Sequence, residues 1–332
     1  MTAGTYSSVN TPLLQLVDLQ THLFTRGKVV KAVDHVNLTI HKGEALGLVG
    51  ESGSGKTMTG LSIMRLLPRP VGRIVGGNIY FRGTDIVTLP EKKMQKIRGS
   101  QIAMILQDPL SSLNPVLTIG DQMGEPLREH RVIERKGIPG KVLELLRMVN
   151  ISLPERRASS YPHQFSGGMR QRVVGALAFS CTPDLIIADE PTTALDETIQ
   201  AQYLRLLKDL QQKHNTSMLF ITHDFGIVAK VCDRIAVMYA GRIVEQGKVR
   251  EVFTNPAHPY TKALLQALPS PFHDVERLPS IAGQPPNLDN LPPGCAFSPR
   301  CEHMFEKCTE VQPEEVEIKP GHGVRCYLYD SN

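Results

Sequence analysis

A glycine-rich stretch at residues 50–57 constrains the fold of this chain more than any other feature. It reads GESGSGKT, which fits the pattern G-x-x-x-x-G-K-[ST]. A short, fully apolar run, Ala45–Val49, precedes it, and a helical stretch begins near Met58. Glycines between a strand and a helix let successive backbone N–H groups turn inward, and the helix N-terminus adds partial positive charge. The stretch therefore predicts an anion-binding loop inside an α/β fold.

We expect this loop to hold the phosphates of a nucleotide. Lys56 would reach the outer phosphates, and the Thr57 hydroxyl would bind Mg²⁺. The predicted phosphate site consists of Gly50, Glu51, Ser52, Gly53, Ser54, Gly55, Lys56 and Thr57. The alternative is a glycine-rich turn with a surface lysine, and both the spacing and the strand–helix context argue against it.

Two adjacent carboxylates, Asp189 and Glu190, follow a second apolar run at residues 185–188. The carboxyl ends of buried strands are where α/β sheets bind ligands. We expect Asp189 to hold Mg²⁺ through a water molecule, and Glu190 to polarise an attacking water. The structural alternative is a helix-capping acid ahead of Pro191.

The first 250 residues alternate between strand-like and helical patterns. Ser217–Thr222 is a third apolar run, and residues 199–213 before it carry apolar side chains at helical spacing. Strand, helix and strand in that order predict an α/β sheet with right-handed crossovers. Residues 110–175 show no strong strand pattern, and an amphipathic pattern falls between Pro139 and Pro154. We therefore expect a helical insertion in that stretch.

Composition changes near residue 250, where we expect a domain boundary. Residues 251–332 hold 6 Lys and Arg against 11 Asp and Glu, a net charge of −5, whereas the whole chain carries +4. The same quarter of the chain holds 12 of the 24 prolines and four of the six cysteines. A segment so rich in proline disfavours regular structure and buries little apolar surface. We therefore expect an irregular extension that another device must hold in place.

Composition also limits the class of protein. With 41% apolar and 21% charged residues, the chain is typical of globular proteins and unlike disordered or fibrous ones. No apolar run approaches the ~18 residues that span a bilayer. The N-terminus has no basic start followed by an apolar stretch. We therefore expect a cytosolic protein with reduced, ligating or catalytic cysteines.

Four further motifs narrow the class of nucleotide-binding protein. Residues 165–172 (FSGGMRQR) resemble the signature LSGGQ of ABC ATPases, although Met169 stands where that family has glutamine. The other three resemble the Q-loop, the D-loop and the switch histidine of the same family, and they are Gln107 in ILQDP, residues 194–196 (ALD) and His223 in ITHD. The Met169 exchange alters a side chain but no backbone donor, so we expect function to survive it.

All the motifs lie in the family's order over residues 12–250, and the resemblance implies the family's fold. That fold is an α/β P-loop ATPase with a RecA-like core, an antiparallel β subdomain and a helical subdomain, here at about 110–175. The resemblance also implies that the chain binds and hydrolyses ATP with Mg²⁺.

The resemblance assigns roles to side chains outside the phosphate loop. Glu190 is the expected catalytic base, Gln107 would reach Mg²⁺ and the attacking water, and His223 would contact the γ-phosphate. The signature residues would offer N–H groups to an ATP held by a second ATPase subunit, and they are Ser166, Gly167 and Gly168. Asp196 joins the nucleotide-binding set through the D-loop. Phe24 lies where family members place an aromatic that stacks on adenine, and a core phenylalanine is the alternative.

Longer segments extend the resemblance to the ATPase subunits of dipeptide, oligopeptide and nickel importers. They are GESGSGKT, ILQDPLSSLNP (105–115), YPHQFSGGMRQRV (161–173), ADEPTTALD (188–196) and NPAHPYTKALLQALP (255–269). The HPY triplet and the cysteine tail, both within residues 251–332, are especially typical of that group.

This resemblance implies partners and a location. The chain would lie at the cytoplasmic face of the plasma membrane as a peripheral subunit, beside a second and different ATPase subunit. Two membrane permease subunits would lie above the pair, and a separate binding protein would deliver dipeptides or oligopeptides. Nickel or another small solute is the alternative cargo.

The four cysteines of the tail indicate a metal site. Cys295, Cys301, Cys308 and Cys326 lie where little core is available, and a metal could hold such a segment together. Spacing alone fits both zinc and an iron–sulfur cluster, and the abundance of Cys₄ zinc sites favours zinc. The resemblance favours a [4Fe–4S] cluster instead, because relatives with this tail carry one. Cys181 and Cys232 are predicted to be buried structural thiols.

Two other functions compete with solute import. An ABC ATPase acting on nucleic acid would be the first, but the acidic tail does not favour a polyanion. A catalytically inactive regulatory subunit would be the second, and the intact Lys56, Glu190 and His223 argue against it.

Overall fold

The structure, a computed structural model, describes residues 12–193, 195–268 and 281–330, without the side chains of residues 109 and 110. Within these ranges the strands are β1 (Pro12–Thr25), β2 (Lys28–His41), β3 (Ala45–Val49), β4 (Gly72–Phe81), β5 (Thr84–Asp85), β6 (Ile102–Ile105), β7 (Leu185–Asp189), β8 (Ser217–Thr222), β9 (Arg234–Tyr239), β10 (Arg242–Lys248), β11 (Val316–Lys319) and β12 (His322–Val324). The α-helices are α1 (Lys56–Met64), α2 (Glu91–Ile97), α3 (Pro109–Ser112), α4 (Ile119–Glu129), α5 (Ile138–Met148), α6 (Pro154–Ala158), α7 (Gly167–Phe179), α8 (Glu197–His214), α9 (Phe225–Val231), α10 (Val249–Thr254), α11 (Pro259–Gln266) and α12 (Lys307–Glu310). Short 3₁₀ helices lie at Arg135–Gly137, Pro162–Gln164, Ser298–Arg300 and Tyr327–Tyr329.

The larger sheet has the strand order β11-β12-β10-β9-β3-β8-β7-β6. Its centre, from β9 to β6, is parallel, and β10, β12 and β11 continue it in antiparallel pairs. Every residue of β3, β7 and β8 is buried, which explains why these strands read as unbroken apolar runs. The three predicted strands are confirmed, and the predicted helix between β7 and β8 is α8.

A second, antiparallel sheet has the order β2-β1-β4-β5. Buried and less buried side chains alternate along much of β1 and β2, as in a sheet with one face packed on the core. Leu14, Leu16 and Ile40 from this sheet pack in one apolar cluster with Leu48 and Ile187 of the larger sheet. The resemblance implied this β subdomain, but no strand pattern predicted it.

The chain between β6 and β7 is helical, as predicted. Residues 106–184 form α3 to α7 with two 3₁₀ turns, and no strand occurs among them. Helix α5 buries Val142, Leu145 and Leu146 on the face that the apolar spacing indicated. Over the described ranges, no helix combines the length and the apolar character that crossing a bilayer requires.

The chain beyond residue 250 is less irregular than predicted. Its strand β12 pairs with β10, with Val324 opposite Glu245, so the C-terminal extension adds two strands to the larger sheet. Strands of three and four residues are too short for periodicity to reveal, which is why the expectation of an irregular tail was wrong here. Two parts of the predicted motifs lie outside the described residues. They are Ala194 of the D-loop and the proline-rich residues 269–280, which begin with the last residue of the 255–269 segment.

A buried carboxylate, Glu245, holds the extension against the sheet. It accepts hydrogen bonds from the backbone N–H groups of Ala257 (2.8 Å) and His258 (2.9 Å). His322 of β12 lies 2.8 Å from the same carboxylate, and both side chains are inaccessible to solvent. One acid therefore joins β10, the approach to α11 and the C-terminal hairpin.

Candidate active site

The predicted catalytic residues lie at one edge of the larger sheet. Strands β3, β8, β7 and β6 are parallel, with Val49 opposite Thr222 and Asp189 opposite Ile221. Parallel strands in register end together, so the segments that follow them converge. These segments carry the phosphate loop, Gln107, Glu190 and His223.

Two glycines of the phosphate loop are required by its backbone. Gly55 has φ +106°, and a Cβ there would lie 2.1 Å from the Ala32 carbonyl oxygen. Gly50 has φ +156°, and a Cβ there would lie 2.1 Å from the Met238 carbonyl oxygen. The loop can therefore pack tightly between β2 and β9 only with hydrogen at both positions.

Lys56 begins α1 and turns back over the loop. Its ammonium donates to the carbonyls of Gly50 (2.8 Å) and Glu51 (2.9 Å). Burial lowers the pKa of Lys56, and the nearby carboxylates of Glu190 and Asp189 oppose that shift. The ammonium is thus a buried cation centred in the loop, where it can meet a phosphate.

Thr57 and Asp189, the two expected magnesium ligands, lie side by side. The Thr57 hydroxyl donates to Oδ1 of Asp189 at 3.1 Å. Burial raises the pKa of Asp189 to about 6, with Glu190 adding to the shift and the Thr57 hydrogen bond opposing it. A hydroxyl and a carboxylate side by side are oxygen ligands of the kind that Mg²⁺ prefers.

Glu190 is the centre of a hydrogen-bonded group. Its carboxylate accepts from Gln107 Nε2 (3.3 Å) and Thr193 Oγ1 (2.8 Å), and it lies 2.9 Å from His223 Nδ1. Burial favours the neutral acid, but the bonds from His223 and Thr193 outweigh it and lower the pKa of Glu190. Its backbone has φ +42°, a left-handed conformation rare for glutamate and frequent at functional sites. The arrangement holds Glu190 as an ionised, oriented carboxylate.

A cavity of about 310 Å³ opens beside these groups. Its walls are Leu23, Val30, Ala32, Ser52, Gly53, Gly55, Lys56, Thr57, Met58, Gln107, Glu190 and Leu288. Polar groups of the phosphate loop and aliphatic side chains of β1 and β2 both contribute to these walls. This mixture suits a ligand with a phosphate tail and an apolar ring.

Several predicted residues lie away from this cavity. Ser166 caps α7 by accepting from the Met169 N–H (3.4 Å), and Asp196 caps α8 by accepting from the Ile199 N–H (3.0 Å). Neither they nor Gly167 and Gly168 line the cavity. Phe24 also does not line it. Its ring is 39% exposed, under the Arg73 guanidinium, while Leu23 takes the wall position.

The extension contributes residues that the sequence did not predict. The Tyr260 hydroxyl accepts from the Glu51 N–H at 2.9 Å, and Arg300 pairs with the Glu51 carboxylate. Leu288 reaches the cavity wall, and its carbonyl accepts from the Lys31 N–H (3.0 Å). The HPY triplet, which contains Tyr260, and the cysteine tail were the sequence features that pointed to this region.

All four tail cysteines line one small cavity of about 20 Å³. Burial raises the pKa of Cys295 to about 11 and raises the pKa values of Cys301 and Cys326. All six cysteines of the chain lie in described ranges, and all are free thiols. Among the described residues, no group of three or more His, Cys, Asp or Glu side chains is arranged to hold a metal ion.

Sequence comparisons identify two known regions. Residues 33–193 match the ABC transporter family, and residues 244–308 match the C-terminal region of oligopeptide/dipeptide transporters. An oligopeptide transport ATP-binding protein of Bacillus subtilis is 49% identical over 96% of this chain and 97% of its own length. A dipeptide transport ATP-binding protein of the same organism is 47% identical over 96% of this chain and 95% of its own length.

Comparison of folds agrees with these matches. An ATP-binding cassette solved as a dimer, in a post-hydrolysis state bound to ADP and Pi, is 29% identical with a TM-score of 0.64. The match covers 71% of this chain and 99% of that cassette. By sequence and by fold, the chain belongs to the family of ABC transporter ATP-binding proteins, in the branch with the oligopeptide/dipeptide C-terminal region.

Proposed function

We propose that this chain binds and hydrolyses ATP to power an ABC importer of dipeptides or oligopeptides. The observation that carries the proposal is the Glu190 group, in which Gln107, Thr193 and His223 orient one carboxylate beside the phosphate loop. A preorganised base next to an anion site is the arrangement that hydrolysis of a nucleotide needs.

The residues of the cavity divide the work. Lys56 and the loop N–H groups bind the outer phosphates, and His223 approaches the γ-phosphate. Thr57, Asp189 and Gln107 would hold Mg²⁺, which neutralises phosphate charge when bound. Glu190 accepts a hydrogen bond from the attacking water and orients it.

The adenine lies against the aliphatic side chains of the cavity wall. Leu23, Val30 and Leu288 supply that wall. Phe24 stays a candidate for stacking, although its ring faces away from the wall that Leu23 forms.

The ATP site is completed by a second ATPase subunit. Ser166 sits at the start of α7, where free N–H groups and the helix dipole suit a phosphate, yet it does not line the cavity of its own chain. Gly167 and Gly168 begin the same helix, and Asp196 caps α8; none of the three lines the cavity. The solved dimer of the related cassette supports the pairing. We expect the second subunit to be a different chain.

Peptides are the proposed cargo because the similar proteins are described as oligopeptide and dipeptide transport proteins. The chain would work at the cytoplasmic face of the membrane with two permease subunits and a solute-binding protein. We propose residues 12–250 as the ATPase domain, with the helical subdomain at about 110–175, and residues 251–332 as the extension. Nickel or another small solute is the second candidate cargo.

Transport in a reconstituted complex tests this function. Proteoliposomes with both ATPase subunits and both permeases should take up labelled dipeptide only with ATP and binding protein. The same complex with Lys56→Ala in this chain should lose most of that uptake. Uptake of Ni²⁺ but not of dipeptide would show that the cargo is nickel. Recovery of the chain with nucleic acid and without a permease would contradict the transport function.

We also propose that the four-cysteine cavity holds a [4Fe–4S] cluster with a structural role. The four half-buried cysteines that line one cavity supply the thiols of a Cys₄ ligand set. Without a cation, burial favours the neutral thiols of Cys295, Cys301 and Cys326. A [4Fe–4S] cluster takes four cysteine thiolates, which is the number that lines this cavity. A single zinc ion held by four thiolates is the alternative.

Metal analysis of the purified chain decides this point. Anaerobic purification should yield a brown protein with about four irons and visible charge-transfer absorption. Cys301→Ser should lose that absorption, while Cys181→Ser, outside the cavity, should keep it. Colourless, iron-free and zinc-loaded protein would contradict the cluster.

A further inference from the structure

One residue of the phosphate loop, Glu51, is held by the extension at both its backbone and its side chain. Its N–H donates to the Tyr260 hydroxyl at 2.9 Å. Its carboxylate receives two hydrogen bonds from the Arg300 guanidinium, at 2.8 and 3.1 Å. Both partners are more than 200 residues away in sequence, and neither lines the nucleotide cavity.

Arg300 is fixed in place by more than this ion pair. Its Nε donates to the Ala282 carbonyl (2.9 Å), and its Nη1 donates to the Tyr239 hydroxyl (3.3 Å). The guanidinium lies over the rings of Tyr239 and Phe297, and the side chain is only 4% exposed. A buried, two-pronged cation of this kind has one geometry to offer its carboxylate.

Tyr260 is equally rigid. It is fully buried near the start of α11, where its N–H donates to His258 Nδ1 at 3.0 Å. Its ring packs against Tyr239 at 4.5 Å and Phe297 at 5.4 Å between centroids. The same two aromatic residues thus support both groups that hold Glu51.

The contact continues from Glu51 into the phosphate site. The Glu51 carbonyl accepts from the Lys56 ammonium at 2.9 Å, and the Ser54 N–H donates to the same carbonyl at 3.2 Å. A shift of Glu51 therefore moves the lysine and the turn that present donors to the phosphates.

We propose that Arg300 and Tyr260 are positioning residues for ATP, which hold the phosphate loop through Glu51 in its binding conformation. The extension is then a working part of the nucleotide site, in addition to any role in assembly. This inference rests on the proposed function, because it assigns the loop to ATP. Without these contacts to Glu51, the loop spends part of its time in other conformations. The apparent affinity for ATP then falls in proportion to the fraction that remains in the binding conformation.

A double-mutant cycle tests the proposal. ATP affinity and steady-state hydrolysis are measured for wild type, Glu51→Gln, Arg300→Gln and the double variant, in the complete transporter complex. Each single change should raise KM for ATP by about tenfold, with kcat changed less than threefold. The double variant should lose no more than the worse single variant, because both changes remove the same contact.

Two further variants separate positioning from general damage. Tyr260→Phe keeps the buried ring, removes only the acceptor for the Glu51 N–H, and should raise KM by a smaller factor. Arg250→Gln, an exposed arginine on α10, should leave KM unchanged.

Three outcomes would overturn the proposal. One is unchanged KM in Glu51→Gln and Arg300→Gln beside a wild type that binds ATP. Another is a fully multiplicative loss in the double variant, which would show that the two residues act separately. Lack of ATP binding by the wild type would remove the proposed function itself, and this inference with it.

Discussion

The carboxyl edge of the larger sheet and the C-terminal extension both meet the phosphate loop, but they contact it in different ways. At the edge, Glu190, its partner Gln107, and Thr57, the partner of Asp189, are polar and border an open cavity. Behind the loop, Tyr260 and Arg300 are enclosed by aromatic rings. Groups that react need access to ligand, whereas groups that hold a loop gain precision from burial.

This difference predicts two kinds of variant. Changes at the edge should alter hydrolysis and metal use while the fold stays intact. Changes in the extension should alter stability and nucleotide affinity while the reacting groups stay in place.

Glu190→Gln should give the largest effect on the edge side of the comparison. The exchange keeps the shape but removes the charge that orients water, so kcat should fall by about 10²–10⁴-fold. ATP binding should persist, since Lys56 and the loop are unchanged, and ATP-bound dimers should accumulate. Single-turnover hydrolysis and size-exclusion chromatography with ATP measure both effects.

The matched control for this prediction is Glu129→Gln, the same exchange at an exposed position of α4. It should hydrolyse ATP at the wild-type rate. Normal hydrolysis by Glu190→Gln would show that the base has been assigned wrongly.

Glu245→Ala should give the largest effect on the extension side. It removes one buried acceptor that serves Ala257, His258 and His322, so the unfolding free energy should fall by about 3–5 kcal/mol. Chemical denaturation measures the loss, and limited proteolysis should cut first beyond residue 250. Glu310→Ala, at an exposed position, should lower the unfolding free energy little. Equal losses for the two variants would contradict the role of Glu245 in holding the extension against the sheet.

The edge of the sheet was predictable because its polar residues belong to short, continuous sequence motifs. A short apolar strand segment followed by GESGSGKT, or by Asp189 and Glu190, predicts both where the segment lies and what it binds. Register between parallel strands then places these segments side by side without further information. The helical region was predictable for a similar reason, since α5 has the apolar spacing of one buried face.

The back of the loop was not predictable because its contacts are distant in sequence and leave no local pattern. Nothing near Arg300 shows that its partner is Glu51, 249 positions earlier. The strands β11 and β12 are short, and β12 finds its place only by pairing with β10. Strand alternation at Leu23 and Phe24 also decides which of the two lines the cavity, and sequence spacing alone cannot fix that phase.

Lower pH should weaken the proposed magnesium site. The pKa of Asp189 is raised to about 6 by burial, so its carboxylate is ionised above that pH and protonated below it. Mg²⁺ binds the ionised form, and at pH 5 its contribution to ATP affinity should fall by about tenfold relative to pH 7.5. Titrations of ATP with Mg²⁺ and with EDTA at both pH values measure this contribution. Asp189→Asn should show a small and pH-independent contribution, and a wild-type contribution that stays constant down to pH 5 would contradict the prediction.

Leu288→Ala should give the smallest effect. It tests whether the extension contacts the adenine of ATP as well as the phosphate loop. Leu288 lines the cavity, whereas Phe24 does not. Losing part of an apolar wall at ~0.8 kcal/mol per buried CH₂ should weaken ATP binding by about threefold to tenfold. Phe24→Ala should weaken it less, and titration with ATP and with inorganic triphosphate should show that only ATP senses the Leu288 change. If Phe24→Ala weakens ATP binding more than Leu288→Ala does, the adenine stacks on Phe24 in the way the family resemblance implies. The extension would then affect only the phosphate loop.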